Sequence, residues 1–400
     1  MRTRSPLAVI LSLFLLMPFL GTIQPEPAEA SDEIVIGILT ELSGFMAPAG
    51  IPGMKGVRTA IEVAGSKVAG KPIRVVVEDT GTNPAKAMDK VRKLVEIDKA
   101  CFIMGPLWAE THLAIAPYLD KVKVPSLTLE ANWETMALNN HWTWITNGGL
   151  IQNTYPLGIM AHDDLGYKKA SAIYPEVAGG PDFYEGFRRG FTERGGTVIQ
   201  EQVFAPETQD FIPYLINVKK EADVVYEFAV GAFIFPFYKA VRELGFKIPT
   251  IEGPGEFPNP EVLKAVGDIL VGRRFVTSYF YTLDTPGNKV FVEAYKKRWG
   301  ELPAHVSGCG YSAGQIALEA LKLTGGNTSG EALAKALGGI SMDTVRGHIT
   351  LTPDRVGTLD YSAGEVVKVE GEYTYKYLKT YSVKMSRVGD KLEYSLVKVK

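Results

Sequence analysis

The strongest chemical pattern in this sequence is a potential nucleophile elbow in its last third. Residues 310–314 read GYSAG, a match to G-x-S-x-G, which in α/β-hydrolases holds the serine on a turn between a strand and a helix. Such an enzyme also needs an acid and then a histidine downstream. The only later histidine is His348, close behind Asp343, and no apolar strand separates the two. We therefore predict a helix that opens at Tyr311 and Ser312 and no enzymatic activity, with a secreted serine hydrolase as the weaker alternative.

The histidines and cysteines lack the spacing of a metal or redox site. The five histidines are scattered, without H-x-x-x-H or H-E-x-x-H spacing, so each is interpreted as a solvated or core-edge residue. Cys101 and Cys309 lie far apart in the chain, which favours two buried free thiols over a disulfide. The sequence thus predicts no metal site and no cofactor.

Two neighbouring loops are the best candidates for a ligand site. Apolar runs at 101–104 and 124–129 predict strands, and the recurrence of apolar residues at 109–120 predicts a helix between them. Two parallel strands joined by a helix bring both strand-to-helix loops to one edge of a sheet, where open α/β folds bind ligands. The loops at 105–108 and 129–133 carry two tryptophans, a carboxylate and an amide, as expected of a pocket wall.

Strands and helices alternate along most of the remaining chain. Strand-like runs at 34–39 and 71–78, each followed by a helical segment, predict one parallel sheet together with the two runs above. The alternation restarts at 153–252, which predicts a second α/β layer of similar size. A β-rich run at 271–281 is long enough to pass between the layers, and alternating tyrosines near the C-terminus predict antiparallel strands.

The first 30 residues have the features of a secretion signal. Arg2 and Arg4 precede an apolar segment at 7–20, and small residues at positions 28 and 30 match what signal peptidase requires. We predict cleavage near Ala30 and a mature protein that is periplasmic or secreted. The formal net charge of −2 argues against nucleic acid as a partner.

Four short motifs occur in order along the predicted mature chain. They are 42–44 (LSG) after the first strand, 79–87 (DTGTNPAKA), 102–106 (FIMGP), and 295–303 (YKKRWGELP) followed by 310–313 (GYSA). With the export signal and the two α/β layers, they resemble the type I periplasmic solute-binding proteins of ABC importers, specifically the branched-chain amino-acid (leucine/isoleucine/valine)-binding family.

The resemblance implies an architecture and a function. Each of two Rossmann-like lobes would be a parallel sheet flanked by helices, and a three-stranded hinge would join the lobes. The N-terminal lobe would comprise 31–150 plus 280–350, and the C-terminal lobe 151–279 plus 351–400. A monomer would capture a small organic ligand in the interlobe cleft by hinge closure and deliver it to a membrane permease. A periplasmic ligand-sensing protein of the same fold is the alternative.

The same resemblance suggests ligand contacts but weakens the expected amino-acid ligand. Where the family uses hydroxyls of the two central loops for the α-carboxylate, this chain has Ala109 and Asn132, and the ammonium partner aligns with Gly255, next to Glu256. We predict an amino acid or an aromatic or branched carboxylate, whose polar group meets Asn132, Thr111 and helix amides. The predicted contacts are Phe45, Leu107, Trp108, Ala109, Thr111, Glu130, Asn132, Phe183, Phe233 and Glu256.

Overall fold

The computed structural model of the protein describes residues 33–177, 179–253, 259–388 and 391–399. The predicted secretion signal and Glu256 lie outside these residues. Within the described ranges no helix combines the length and apolar character that a bilayer crossing requires.

The regular elements alternate as the sequence predicts. The helices are α1 Ala47–Val63, α2 Pro84–Arg92, α3 Ala109–Val122, α4 Glu134–Asn139, α5 Leu150–Ile159, α6 Gly180–Thr192, α7 Ile212–Ile216, α8 Ile234–Glu243, α9 Pro260–Val266, α10 Pro286–Trp299, α11 His305–Leu323 and α12 Gly330–Leu337. The strands are β1 Ile34–Thr40, β2 Lys67–Val68, β3 Lys71–Asp79, β4 Phe102–Met104, β5 Ser126–Leu127, β6 Thr143–Trp144, β7 Lys169–Pro175, β8 Thr197–Phe204, β9 Val224–Glu227, β10 Thr250–Glu252, β11 Arg274–Thr277, β12 Ser341–Thr344, β13 Gly347–Leu351, β14 Gly357–Thr358, β15 Asp360–Val369, β16 Glu372–Val388 and β17 Lys391–Val399. Short π or 3₁₀ turns occupy Lys93–Ile97, Met160–Asp164, Gly231–Phe233 and Gly267–Leu270.

The first half of the chain forms a six-stranded sheet with the order β2-β3-β1-β4-β5-β6. All residues of β1 are buried, as expected of a central strand against which helices pack. β3 and β4 run parallel to β1 on its two sides, and β5 and β6 continue in parallel beyond β4. The predicted parallel sheet is therefore confirmed, and its topological switch point lies between β1 and β4.

A second sheet has the order β10-β9-β7-β8, and its pairs are all parallel. The chain passes from β7 to β8 on one side and then to β9 on the other, so this sheet has its own switch point between β7 and β9. The predicted second α/β layer is thus confirmed.

The C-terminal part of the chain is antiparallel, also as predicted. β15, β16 and β17 form consecutive antiparallel pairs, and β11 joins them by pairing with β15. β11 is shorter than the predicted run at 271–281, because the chain leaves the sheet after Thr277. Tyr279 and Phe280 are fully buried in side-chain packing, so their apolar character does not signal a longer strand.

Helix α11 begins at His305, well before the predicted start at Tyr311. Gly308 and Gly310 suggest a helix breaker in the sequence, but the fold uses small residues here to bring α11 against α1. A Cβ atom on Gly310 would lie 2.1 Å from the carbonyl oxygen of Gly53, a contact that only glycine avoids. The requirement for a close helix crossing therefore overrides the low helix propensity of glycine.

The serine of the G-x-S-x-G pattern lies inside this helix and not on a strand-to-helix turn. Ser312 is fully buried, and its Oγ accepts a hydrogen bond from Arg346 Nε at 3.0 Å. A hydroxyl that accepts from a guanidinium is not activated by a general base. Its environment is that of a structural serine.

Candidate ligand-binding site

An open cavity lies between the carboxyl edges of the two parallel sheets. Its volume is about 600 Å³ when the solvent-filled opening is included. One side, which we name the charged wall, consists of Leu107, Trp108, Ala109, Glu130 and Ala131 from the loops after β4 and β5. It also includes Met46, Ala49, His305 and Val306 from the starts of α1 and α11. The opposite side, the apolar wall, consists of Leu150, Gly179, Phe183, Phe228 and Val230, which lie near the ends of β7 and β9 and at the start of α5.

The loop after β4 is held in place by Glu41, which follows β1 across the switch point. The Glu41 carboxylate accepts hydrogen bonds from Leu107 N at 3.1 Å and from Thr111 Oγ1 at 2.7 Å. Burial raises the pKa of Glu41 above its ordinary value, although these hydrogen bonds oppose the shift. Because the Thr111 hydroxyl is used inside the protein, it does not line the cavity.

Aromatic side chains form much of the cavity surface and support one another. Trp108 packs edge to face against Phe45, with ring centroids 5.2 Å apart, and Phe45 in turn contacts Phe233 at 6.0 Å. On the apolar wall Phe183 and Phe228 make another edge-to-face pair at 5.0 Å. Such pairs add about 0.5–1.5 kcal/mol beyond their burial, so they hold the rings in defined positions.

The polar end of the cavity is an ion pair between the buried His305 and the partly exposed Glu130. His305 Nε2 lies 2.9 Å from a carboxylate oxygen of Glu130. Burial lowers the pKa of His305, but the neighbouring Cys309 and Glu130 raise it more, so the net shift is upward. Burial raises the pKa of Glu130, but the charge and hydrogen bond of His305 lower it more, so the net shift is downward. The pair is therefore an imidazolium that faces a carboxylate.

A second buried cation, Arg346, acts on the same carboxylate. Arg346 is 4% exposed and donates to Ser312 Oγ, to Ser278 Oγ at 3.2 Å, to the carbonyl oxygen of Thr146 at 3.1 Å and, at 4.0 Å, to Cys309 Sγ. Its positive charge also lowers the pKa of Glu130. Within the described residues, two cations thus act on one carboxylate, which leaves an excess of positive charge at this end of the cavity.

The structure brings together half of the contacts predicted from the sequence. The predicted residues that line the cavity are Leu107, Trp108, Ala109, Glu130 and Phe183. Phe45 and Phe233 stand behind Trp108, and Thr111 bonds to Glu41. Asn132 is also buried outside the cavity lining, and its Oδ1 accepts from Trp133 N at 2.8 Å. Thr111 and Asn132 are therefore not part of the cavity lining, whose ionisable side chains are Glu130 and His305.

His305 is the functional residue that sequence reasoning missed. The sequence predicts a solvated or core-edge histidine, whereas the side chain is 3% exposed and lies at the cavity. The one sequence signal that points to it is its position just after Leu302-Pro303-Ala304, where a proline precedes a helix start.

Comparisons with known proteins agree with this architecture. The family described as "Periplasmic binding protein" matches residues 33–371. A curated Leu/Ile/Val-binding protein homolog 6 from Brucella abortus (strain 2308) is 26% identical over 365 residues, which cover 88% of this chain and 93% of the relative.

Two solved structures from Rhodopseudomonas palustris are also similar. A solute-binding protein of an ABC transporter from strain BisB5, in complex with 3,4-dihydroxybenzoic acid, has a TM-score of 0.82 and 28% identity, covering 88% of this chain and 98% of that one. An ABC transporter solute-binding protein in complex with 4-hydroxybenzoate has a TM-score of 0.81 and 25% identity, covering 88% and 97%.

These matches confirm the predicted type I fold and the absence of an enzymatic role. The family acts outside the cytoplasmic membrane, in the periplasm, and its members pass small ligands to a permease. The chain therefore belongs to the periplasmic binding protein family and is a solute-binding component of an ABC transporter.

Proposed function

We propose that the protein captures a small aromatic monocarboxylate of the hydroxybenzoate class and delivers it to its permease. The observation that carries this proposal is the composition of the cavity, in which Trp108, Phe183 and Phe228 surround a space with one charged end. Flat aromatic walls with a few placed polar groups suit a ring-shaped ligand that carries a polar substituent.

The charge at the polar end favours an anion without an ammonium group. Glu130 already faces the cations of His305 and Arg346, so the remaining positive charge favours a ligand of net negative charge, whose carboxylate lies across the ring from the group that meets Glu130. An amino acid brings its own ammonium, which would compete with His305 for Glu130 and leave the excess charge uncompensated. A phenolic hydroxyl is a neutral donor, and Glu130 accepts its hydrogen bond without any added charge.

The ligands of similar proteins support this class. The two Rhodopseudomonas palustris proteins hold 3,4-dihydroxybenzoic acid and 4-hydroxybenzoate. The name of the Brucella relative refers to leucine, isoleucine and valine, so branched-chain amino acids are the rival ligands. The Glu130 carboxylate is the feature that an amino acid would use, as the partner of its ammonium.

We further propose that capture occurs by closure of two lobes, 31–150 with 280–350 and 151–279 with 351–400. Support comes from the cavity lining, which is contributed by both parallel sheets. A hydrogen bond of 2.6 Å from Trp133 Nε1 to Asp182 Oδ2 joins the loop after β5 to α6, and so joins the elements of the two walls. We interpret this hydrogen bond as a contact that forms when the lobes close.

A ligand panel tests the proposal. The purified protein is heated with benzoate, 4-hydroxybenzoate, 3,4-dihydroxybenzoate or leucine, because a ligand of the native state raises the melting temperature. We expect both hydroxybenzoates to raise it and leucine to have no effect. Stabilisation by leucine, with no response to the three aromatic acids, would overturn the proposal.

A variant of the polar end sharpens this test. Glu130→Gln removes the charged acceptor of the phenolic hydroxyl, so calorimetry should show the preference for 4-hydroxybenzoate over benzoate reduced by about tenfold. Glu62→Gln, on the outer surface of α1, is the matched control and should leave this preference unchanged. An unchanged preference in Glu130→Gln would remove Glu130 as the group that contacts the hydroxyl.

A further inference from the structure

Three side chains of metal-ligating type meet at the polar end of the cavity. The ligating atoms of Glu130, His305 and Cys309 all lie within 4.8 Å of one another. His305 Nε2 is 2.9 Å from the Glu130 carboxylate and 3.6 Å from Cys309 Sγ. Neighbouring ligand atoms of a tetrahedral zinc ion stand about 3.3–3.6 Å apart, so the N–S distance fits and the N–O distance must open by about 0.4 Å. The Glu130–Cys309 distance, which is within 4.8 Å, must come into the same range.

The fold holds these ligands before any ion binds. His305 and Cys309 are one helical turn apart on α11, so their side chains project from the same face. The glycine contacts with α1 fix the position of α11, and Glu130 approaches from the loop after β5. A site of this kind pays little conformational entropy when the ion binds.

The second ring nitrogen of His305 is oriented as in known metal sites. Its Nδ1 lies 2.7 Å from Thr277 Oγ1 and 3.4 Å from the carbonyl oxygen of Tyr279. A carbonyl oxygen only accepts, so the Nδ1 proton points toward these groups and Nε2 is directed at Glu130 and Cys309. Metal-ligating histidines characteristically donate their other N–H in this way, which fixes the ring.

We propose that Glu130, His305 and Cys309 bind one divalent transition-metal ion, with Zn²⁺ as the best fit to the donor set. Imidazole and thiolate ligands select such an ion over Mg²⁺ or Ca²⁺. Because Glu130 and His305 line the cavity, the fourth position of a tetrahedral site opens toward it, where water or an oxygen of a bound solute completes the coordination.

The surrounding charges tolerate the ion. A transition-metal ion takes histidine as neutral imidazole and cysteine as thiolate, and these ligand forms offset the charge of the ion. Arg346 Nη1 lies 4.0 Å and Ser278 Oγ 3.7 Å from Cys309 Sγ, so both remain as donors to the thiolate.

Cobalt titration tests this site directly and without any organic ligand, so the result does not depend on the ligand class proposed above. The purified protein is freed of metal with a chelator and titrated with Co²⁺, which gives a thiolate charge-transfer band in the near ultraviolet and visible bands when tetrahedral. We expect both bands, saturation at one Co²⁺ per chain, and loss of the bands when Zn²⁺ is added, because Zn²⁺ binds such ligands more tightly.

Variants locate the ion. Cys309→Ser should abolish the near-ultraviolet band, and Glu130→Gln should weaken Co²⁺ binding about tenfold or more. Cys101→Ser is the matched control: burial raises the pKa of that thiol to about 12, and it lies at the start of β4, so the band must remain. Circular dichroism and the melting temperature show whether each variant is folded, and if Cys309→Ser is not, Glu130→Gln still tests the site.

Several outcomes would overturn the proposal. They are a wild-type protein without a near-ultraviolet band, a band that survives in folded Cys309→Ser, and undiminished Co²⁺ affinity in Glu130→Gln. Exposed pairs such as His348 with Asp343 can bind Co²⁺ weakly, but they offer no thiolate and so cannot produce the band.

Discussion

The two walls of the cavity are built from the same structural unit but carry different chemistry. Each wall is formed largely by segments that follow two adjacent parallel strands, β4 and β5 on one side and β7 and β9 on the other. The charged wall presents Glu130 and His305, whereas the described residues of the apolar wall include no ionisable side chain. The fold therefore decides where a ligand lies, and the side chains of individual loops decide which ligand it is.

This division has a physical consequence for recognition. Burial of ring surface against Phe183 and Phe228 is favourable for any apolar ligand of suitable size, because the hydrophobic effect has no direction. The ion pair at the opposite wall responds to charge and to hydrogen-bond donors, both of which depend on the orientation of the ligand. We thus expect substitutions on the charged wall to change selectivity, and those on the apolar wall to change affinity for all ligands alike.

Arg346→Met is expected to have the largest effect, because it removes the buried cation behind the charged wall. It leaves the acceptors on Ser312, Ser278 and Thr146 without a donor, at a cost of about 3 kcal/mol in the free energy of unfolding. The midpoint of urea unfolding measures this change.

Arg298→Met provides the control for Arg346. Arg298 is half exposed and pairs with Glu62 at the surface, so its loss should change the free energy of unfolding by less than about 1 kcal/mol. Equal losses in the two variants would show that the buried network contributes no more than a surface pair, and the proposed special role of the charged wall would fail.

Trp108→Ala measures how much of the affinity for 4-hydroxybenzoate comes from contacts with the indole ring on the charged wall. Removal of the indole should weaken binding of 4-hydroxybenzoate by about 30-fold, or about 2 kcal/mol, without unfolding the protein. Calorimetry measures the affinity. Trp299→Ala is the control, because that indole packs on Lys55 and Arg298 away from the cavity. Unchanged affinity in Trp108→Ala would remove this residue from the site.

Asp79→Asn tests whether the Asp79 carboxylate stabilises the loop before α1, and whether this stabilisation depends on pH. The Asp79 carboxylate accepts hydrogen bonds from Leu42 N, Ser43 N and Lys86 Nζ, and so fixes the loop that leads to α1. Burial raises the pKa of Asp79, but Lys86, Ser43 and the backbone donors lower it more, so the net shift is well below its ordinary value. The substitution should cost about 1–2 kcal/mol at pH 7.

The sign of the pH effect follows from this depressed pKa. The stability that Asp79 contributes is present above its unfolded pKa of about 4 and is lost as the pH falls toward the folded value. Between about pH 5 and pH 3 the wild type should therefore lose more unfolding free energy than Asp79→Asn. Asp284→Asn removes an exposed, solvent-screened pair with Lys289, so its pH profile should differ from that of the wild type far less than the profile of Asp79→Asn does. Parallel pH profiles for wild type and Asp79→Asn would contradict the assignment.

Trp133→Phe should have the smallest effect, since it removes only the hydrogen bond between the elements of the two walls. Loss of the contact with Asp182 should destabilise the closed arrangement by about 1 kcal/mol and weaken ligand binding about fivefold. In a double-mutant cycle with Asp182→Ala, the second substitution should add little. Fully additive losses would mean that this hydrogen bond does not join the walls in the bound state.

The sequence predicts those residues of the candidate site whose place depends only on neighbouring residues in the chain. Leu107, Trp108, Ala109 and Glu130 directly follow apolar runs that end in turn residues, and parallel strands bring such loops to one edge of a sheet. The sequence predicts Thr111 as a ligand contact because its hydroxyl can hydrogen-bond to a polar group of the ligand. The sequence does not show that Glu41, far away in the chain, occupies its hydroxyl.

His305 shows where local pattern fails. The sequence predicts the start of α11 at Tyr311, and the low helix propensity of Gly308 and Gly310 gives no reason to extend the helix further back. The close crossing with α1 requires glycine, and it extends the helix back to His305. This extension also places Cys309 one turn from His305, which is the spacing on which the proposed metal site depends.

The sequence by itself therefore determined the α/β alternation, the two parallel sheets and the loops at their edges. Apolar periodicity and glycine or proline punctuation are properties of neighbouring residues, and they survive without knowledge of the fold. Only the tertiary structure decided the polar end of the cavity, where Glu130, His305, Cys309 and Arg346 meet. Periodicity shows which face of a helix is buried, but the partners of that face depend on how α11 packs against α1.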